Sequence, residues 1–497
     1  MTNPLLVNLR LPDTLPGAGL LLGWSAEHEH RRERIGFSRG DPELSPSSGF
    51  VDPILLDGEG HVMTIAPTGA GKGTGCIVPA LLRFEGPVIV IDPKGENALI
   101  TARRRREMGH QVAIIDPMGL TGLPSATLNP LDLVDILDEN AVDVASSIVS
   151  SLVDDSIGRG TTDGNYSQER AQQFVLGVVL HVLHDLPAAD RHLGSVRRLV
   201  NQTVGEVGQY VQSTEQGGRT QRGSVLDAMQ RSASEEVRTI ANMLRIGAVS
   251  TLGGIISFAQ SMVDFIRTGP IQRVLAQSSF ELEAVTRGDP LSIYLVLPPH
   301  MLVSHGRVLR LWVNTLMTLV TRRNARPPKS TLFILDEAAQ LGRFEPLRTA
   351  LTLLRGYGLQ TWSLWQDGSQ ISQHYGADWQ TMVNNCRAIQ CFGPNTMVAA
   401  RGMADLVGFE DPLRLLDMDD NEMLLQISGD MPVLARLPSY RSDPAFAGQF
   451  DANPFHDPTR PVLRPRVPVP PPPAKPRPPA NPAVQDILKM LEDKADD

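Results

Sequence analysis

Residues 61–82, HVMTIAPTGAGKGTGCIVPALL, constrain what this chain can fold into more than any other stretch. The apolar run 62–66 reads as a buried strand. It breaks into the small residues Pro67, Thr68, Gly69, Ala70 and Gly71, followed by Lys72 and a helical pattern from about Gly73. Such a loop turns backbone N–H groups toward one point, and the helix N-terminus adds partial positive charge. Lys72 supplies a full charge, so the arrangement reads as a phosphate-binding loop whose lysine reaches the β- and γ-phosphates of a nucleotide. The candidate contacts are Thr68, Gly69, Ala70, Gly71, Lys72, Gly73 and Thr74. Two positions depart from GxxxxGK[ST]: Ala66 replaces the first glycine, and Gly73 replaces the Mg²⁺-binding Ser/Thr. Thr74, one position late, is left as the loop's candidate metal ligand.

The runs 88–91 and 112–115 are apolar throughout and end in Asp-Pro. Strands apolar on both faces suit a parallel sheet covered by helices. Strand signals stop near residue 136 and resume at 293–297, 332–335, 361–365 and 388–392, giving a sheet of about seven strands. Between them lie helical patterns at 141–153, 169–184, 225–249 and 252–266, separated by polar, Gly-rich breaks such as 158–164. The expected fold is therefore α/β, with a mostly parallel sheet carrying an inserted all-helical domain. Its parts are an irregular segment 1–50, a nucleotide-binding domain in two pieces (51–135 and 286–445), the helical insertion 136–285, and a tail 446–497. That tail is proline-rich over 461–482 and then carries a one-sided apolar stripe of Val484, Ile487, Leu488 and Leu491, the pattern of a docking helix.

Charge and cysteine usage narrow the function. A net charge of −9 argues against whole-surface adhesion to nucleic acid and leaves room for a local basic channel. The run Arg103, Arg104, Arg105 and Arg106 closes a helical pattern, where the helix dipole favours cations, so it is read as structural before it is read as a phosphate contact. His28 and His30 alternate with Glu and Arg and read as a solvated segment. Cys76, Cys386 and Cys391 lack metal-ligand spacing and fit a reducing compartment. No apolar run approaches the ~18 residues of a membrane helix, and Pro4, Asp13 and Pro16 break any signal-peptide pattern. The expected location is the cytoplasm.

A second chemical feature lies far downstream. TLFILDE, at 331–337, is an apolar strand ending in two carboxylates. Paired with a phosphate loop, Asp336 is placed to hold Mg²⁺ and Glu337 to polarise the attacking water, which makes the chain an ATP-hydrolysing enzyme. Gln366 follows another strand and has two open roles, γ-phosphate sensor or cap of the next helix. Arg355, in LRGYG, is either a surface charge or a donor to transferring phosphate in a neighbouring subunit. Its position soon after TLFILDE places it, by expectation, near the sheet's active edge.

Taken in order, APTGAGKGTG, IDPKGEN (91–97), NPLD (129–132), YLVLPP (294–299), LDEAAQLGR (335–343), RGYG (355–358) and the stretch from Gln366 to Tyr375-Gly376 form one pattern. It resembles the TraG-like family, the conjugative coupling ATPases of type IV secretion systems, whose loops commonly read GKG. The resemblance implies a RecA-like motor domain with an all-helical insertion, assembled as a homo-hexamer. It further implies delivery of DNA, threaded through the ring, or of nucleoprotein to a transfer channel, with a relaxase or other secretion substrate as partner. Many members carry N-terminal membrane helices, which this sequence does not show. A separate membrane component would then hold it peripherally at the inner membrane. The alternatives are a soluble DNA-processing motor on a mobile element, or a nucleotide-gated adaptor for relaxase or effector proteins.

Overall fold

In the computed structural model, which describes residues 10–15, 19–25, 37–38, 51–153, 162–215, 224–246 and 249–456, the apolar runs pair into one sheet. Its strands are β1 (Leu20–Ser25), β2 (Phe37–Ser38), β3 (Pro53–Leu56), β4 (His61–Ile65), β5 (Val88–Ile91) and β6 (Gln111–Ile115). They continue as β7 (Leu291–Leu295), β8 (Thr331–Leu335), β9 (Leu359–Trp365), β10 (Cys386–Cys391), β11 (Glu422–Ile427) and β12 (Val433–Arg436). Their order is β2-β3-β1-β12-β11-β10-β4-β9-β8-β5-β7-β6. From β10 to β6 every pairing is parallel. From β10 outward to β2 every pairing is antiparallel.

The parallel block consists of the strands expected from the sequence; the antiparallel extension was not expected. Residues 1–50, expected to be irregular, contribute β1 and β2. All six residues of β1 are buried, and a register shift between Leu21 and Gly23 bulges the strand. The β11–β12 hairpin turns at Ser428-Gly429-Asp430, with Gly429 at φ 82°, a turn that only a flexible residue takes without strain. Residues 446–455, assigned to the tail, belong to the folded unit. Phe446 is buried, Phe450 packs edge-on against Tyr440 at 4.9 Å, and Asp451 N–H bonds to Ile100 O at 2.9 Å. The described residues up to Phe455 form one compact unit. The proline-rich stretch and the apolar stripe lie outside the described residues, as do His28 and His30.

Between β6 and β7 the described residues contain helices and no strand. The longer helices are Ala141–Ser150, Thr162–Asp185, Leu193–Glu215, Glu235–Ile246 and Val249–Val263. The pattern over 225–249 breaks in two after Gln230. Arg238 donates to Ser232 O (2.7 Å) and Ala233 O (3.0 Å), and Ala233 N–H bonds to Asp185 Oδ1 (3.2 Å), so these groups are satisfied outside a helix. Phe174, Val178 and Leu183 share one apolar cluster with Ile115, Leu291 and Trp312. The helical segment therefore continues the core of one sheet face. On the other face Ile77 and Leu81, from the helix after the phosphate loop, pack on Val62, Val90 and Trp362.

The basic run divides by role. Arg103 and Arg104 pair with Glu107 near the surface, whereas Arg105 is fully buried. Its guanidinium donates to Leu81 O, Phe84 O, Gly86 O and Ser292 Oγ, tying the phosphate-loop helix to β7, and burial brings its pKa down to about 10. Replacing it strands several buried carbonyls. Arg105→Met is expected to cost roughly 3–5 kcal/mol of stability, read from urea unfolding midpoints.

Candidate functional site

Parallel strands bring their carboxyl ends to one edge, where α/β folds place their ligands. On four adjacent strands, β4 ends into the phosphate loop, β9 into Gln366, β8 into Asp336-Glu337 and β5 into Asp92. Because β9 lies between β4 and β8, Gln366 stands between the loop and the acids.

The loop is shaped by glycine. Gly69 and Gly71 adopt φ 80° and 101°, where a side chain would be strained, and a Cβ on Gly69 or Gly73 would face open space. Ala66 needs no such freedom: it prolongs β4, and its N–H bonds to Trp365 O at 2.9 Å. The helix opens with a wide π turn over Gly73–Ile77, closed by Val78 N–H on Gly73 O. Lys72 is buried, and its Nζ donates to Ala66 O (2.7 Å) and Pro67 O (3.3 Å). The same Nζ lies 3.9 Å from Glu337 Oε1.

Glu337 is the one non-glycine residue at positive φ among the described residues (φ 58°, ψ 52°). Backbone strain of this kind persists where its surroundings hold it. Here Gln366 Nε2 donates to Glu337 Oε2 at 2.6 Å on the side opposite Lys72's partner oxygen. The capping role open to Gln366 is taken by Asp367, whose Oδ1 accepts Ser369 N–H at 2.7 Å. Gln366 is itself seated by its N–H on Gln370 Oε1 at 3.0 Å.

Burial raises the Asp336 pKa to about 6; the Glu337 carboxylate adds to the rise, while Lys72 and Lys94 oppose it. Asp92, buried one strand over, is raised to about 7 chiefly by burial, against N–H donation from Ala98 (2.8 Å) and Asn97. A carboxylate so desolvated is a group that a cation would relieve. Among the described residues no three His, Cys, Asp or Glu side chains are arranged to hold a metal on their own. An Mg²⁺ ion here would take Asp336 and complete its shell from phosphate oxygens and water, the usual habit of that ion. Asp92 and Lys94 are additions to the expected site, although the acid that closes its strand is visible in IDPKGEN. Thr74 accepts Tyr440 N–H at its carbonyl, 3.3 Å away, and is half-buried.

Arg355 corrects its expectation. It is exposed and precedes β9, at the amino ends of the strands, near His61 at the start of β4. Burial and then the Arg355 charge lower the His61 pKa to about 4. The length of β9, about 20 Å, separates Arg355 from Gln366. It therefore cannot serve the Lys72 site of its own chain.

A family model described as Type IV secretory system Conjugative DNA transfer matches residues 28–408. The chain belongs to that conjugative DNA transfer family. Among relatives, it is 27% identical over 374 residues to a conjugal transfer protein TraG of Escherichia coli, covering 71% of this chain and 55% of TraG. It is 25% identical over 310 residues to protein VirD4 of Rhizobium radiobacter, covering 61% and 41%. The chain spans about half the length of the curated relatives it matches. The plasmid coupling protein TrwB, solved with ADP and Mg²⁺, superposes with a TM-score of 0.55 at 15% identity, covering 78% of this chain and 88% of TrwB. The family fold is thus the RecA-like phosphate-loop fold expected from the sequence. No described helix is long and apolar enough to cross a membrane.

Proposed function

We propose that this chain is the ATP-hydrolysing motor of a conjugative coupling protein, delivering DNA or nucleoprotein to a type IV secretion channel. The observation that carries this is the convergence of Lys72, which follows β4, with Glu337 and Gln366, which follow the distant strands β8 and β9, on one centre at the sheet's carboxyl edge. The centre is internally hydrogen-bonded: Lys72 donates to Ala66 O and Pro67 O, and Gln366 Nε2 donates to Glu337. A triphosphate competes for both donors. Lys72 turns to the β- and γ-phosphates, and Gln366 Nε2 turns to the γ-phosphate, freeing Glu337 Oε2. Glu337 then accepts a proton from water as the water oxygen attacks the γ-phosphorus and the bond to the ADP oxygen breaks. Mg²⁺, held by Asp336 with Thr74 as the loop's candidate ligand, would neutralise charge on the β- and γ-oxygens. The other loop contacts, Thr68, Gly69, Ala70, Gly71 and Gly73, supply backbone N–H groups to the phosphates.

The family's description, conjugative DNA transfer by a type IV secretory system, supports DNA as cargo and a secretion channel as partner. A homo-hexameric ring, a relaxase or other secretion substrate, and a separate membrane component complete the proposal. The readout for the site is Lys72→Ala, expected to abolish ATP turnover and weaken MgATP binding by at least about tenfold. Full turnover in Lys72→Ala would refute the reading.

A further inference from the structure

The phosphate site accounts for one end of a nucleotide, and chain order along the loop says where the other end lies. Lys72 marks the β/γ end beside Glu337, and Gly73 and Thr74 follow toward the α-phosphate. Sugar and base must then leave past Thr74 and Gly75, away from Glu337. That direction is covered by residues 437–443, which follow β12. The Leu437 side chain fills the space a Cβ on Gly75 would need, 2.6 Å away, and comes within 3.9 Å of one on Gly71. Tyr440 N–H bonds to Thr74 O.

This segment is held rigidly. The buried Asp443 accepts from Trp24 Nε1 (2.9 Å), Ser439 N–H (2.9 Å) and Ser442 Oγ (3.3 Å), with Arg436 3.6 Å away. Leu437 N–H bonds to Asn421 O at 2.7 Å. From that frame one cation reaches solvent. Arg441 is exposed, its guanidinium carbon lies 5.3 Å from the Tyr440 ring centroid, and its Nε donates to Tyr440 Oη at 3.1 Å. The ring below is buried against Phe450. Among the described residues no carboxylate pairs with Arg441. A planar cation backed by an aromatic ring, and left unneutralised, offers its outer face to a flat π-system.

We propose that residues 437–441 form the base-and-sugar subsite of the nucleotide site, with Arg441, held on Tyr440, stacking on the purine. This rests on the ATP reading of the Lys72 site and extends it to a residue outside every motif of the sequence. The plainer role for Arg441 is a solvated surface charge, and binding data separate the two. The full chain, with Mg²⁺, is titrated calorimetrically with ATP and with inorganic tripolyphosphate, which has the phosphates and no base. Arg441→Ala and Arg441→Lys are expected to lose about tenfold in ATP affinity, a stacking-sized effect, while tripolyphosphate binding stays at the wild-type value. Lysine fails with alanine because it keeps the charge and loses the plane. Unchanged ATP affinity in Arg441→Ala, full recovery in Arg441→Lys, or equal weakening of both ligands overturns the proposal. A wild-type chain that binds neither ligand refutes the phosphate-site reading instead. Arg441 is exposed, so thermal melting of both variants should match the wild type.

Discussion

Glu337→Gln should bind ATP as tightly as the wild type and hydrolyse it about 10³-fold more slowly. The amide is nearly the shape of the carboxylate, and its oxygen still accepts Gln366 Nε2, so the 2.6 Å contact that holds the side chain survives. The left-handed backbone at Glu337 is no harder for Gln than for Glu. What disappears is the capacity to take a proton from water, which acts only in the transition state. A loss confined to that state lowers kcat and leaves ground-state affinity alone. Calorimetry with ATP and single-turnover release of phosphate measure the two quantities separately. Wild-type turnover in Glu337→Gln would show that another group is the base.

The features that were legible in the sequence are those whose residues face the core on both sides. The strands β4 to β10 are short apolar runs in a parallel block, and two of them end in chemistry that announces itself: a glycine-rich loop at Lys72 and a carboxylate pair at Asp336-Glu337. The antiparallel extension was missed for different reasons at each end. β1 is a single apolar run among prolines and charges, interrupted by the bulge at Gly23, while β11 and β12 carry partly exposed residues that blur the pattern. Gln366 was ambiguous because a strand-end polar residue serves a capping loop or a ligand equally well; in the structure its neighbour Asp367 makes the cap and the Gln366 side chain bonds to Glu337, and the γ-phosphate role belongs to the proposal. Arg355 was misplaced although the rule was available. After β8 the helix Glu345–Leu353 carries the chain back along the sheet, so residues just before β9 lie at the amino edge, as every parallel crossover requires.

That position gives the second large effect. At the amino edge Arg355 can reach a γ-phosphate only in another copy of the chain, and the exposed Leu353 (68%) and Tyr357 (40%) beside it offer apolar surface for a neighbour. As an arginine donated in trans it is expected to contribute roughly 10³-fold to turnover, so Arg355→Ala should lose about that factor with ATP affinity nearly intact. Mixing it with Lys72→Ala tests the geometry. Each variant alone lacks one half of every composite site, whereas mixed assemblies contain some sites with Lys72 from one copy and Arg355 from the next. Activity should therefore reappear on mixing. Confirmed co-assembly without recovery would remove Arg355 from the trans role and leave it a surface charge.

The reading as a DNA-moving motor, as opposed to a nucleotide-gated adaptor, stands on whether nucleic acid drives the chemistry. Steady-state ATP turnover of the full chain, measured with no DNA, with single-stranded DNA and with duplex, across a series of salt concentrations, addresses this most directly. The account predicts that DNA raises turnover severalfold or more, that the stimulation grows with protein concentration as rings assemble, and that salt erodes it despite the net charge of −9, because a local basic channel makes the contact. Turnover that is the same with and without either form of DNA, at every salt and protein concentration, would contradict it.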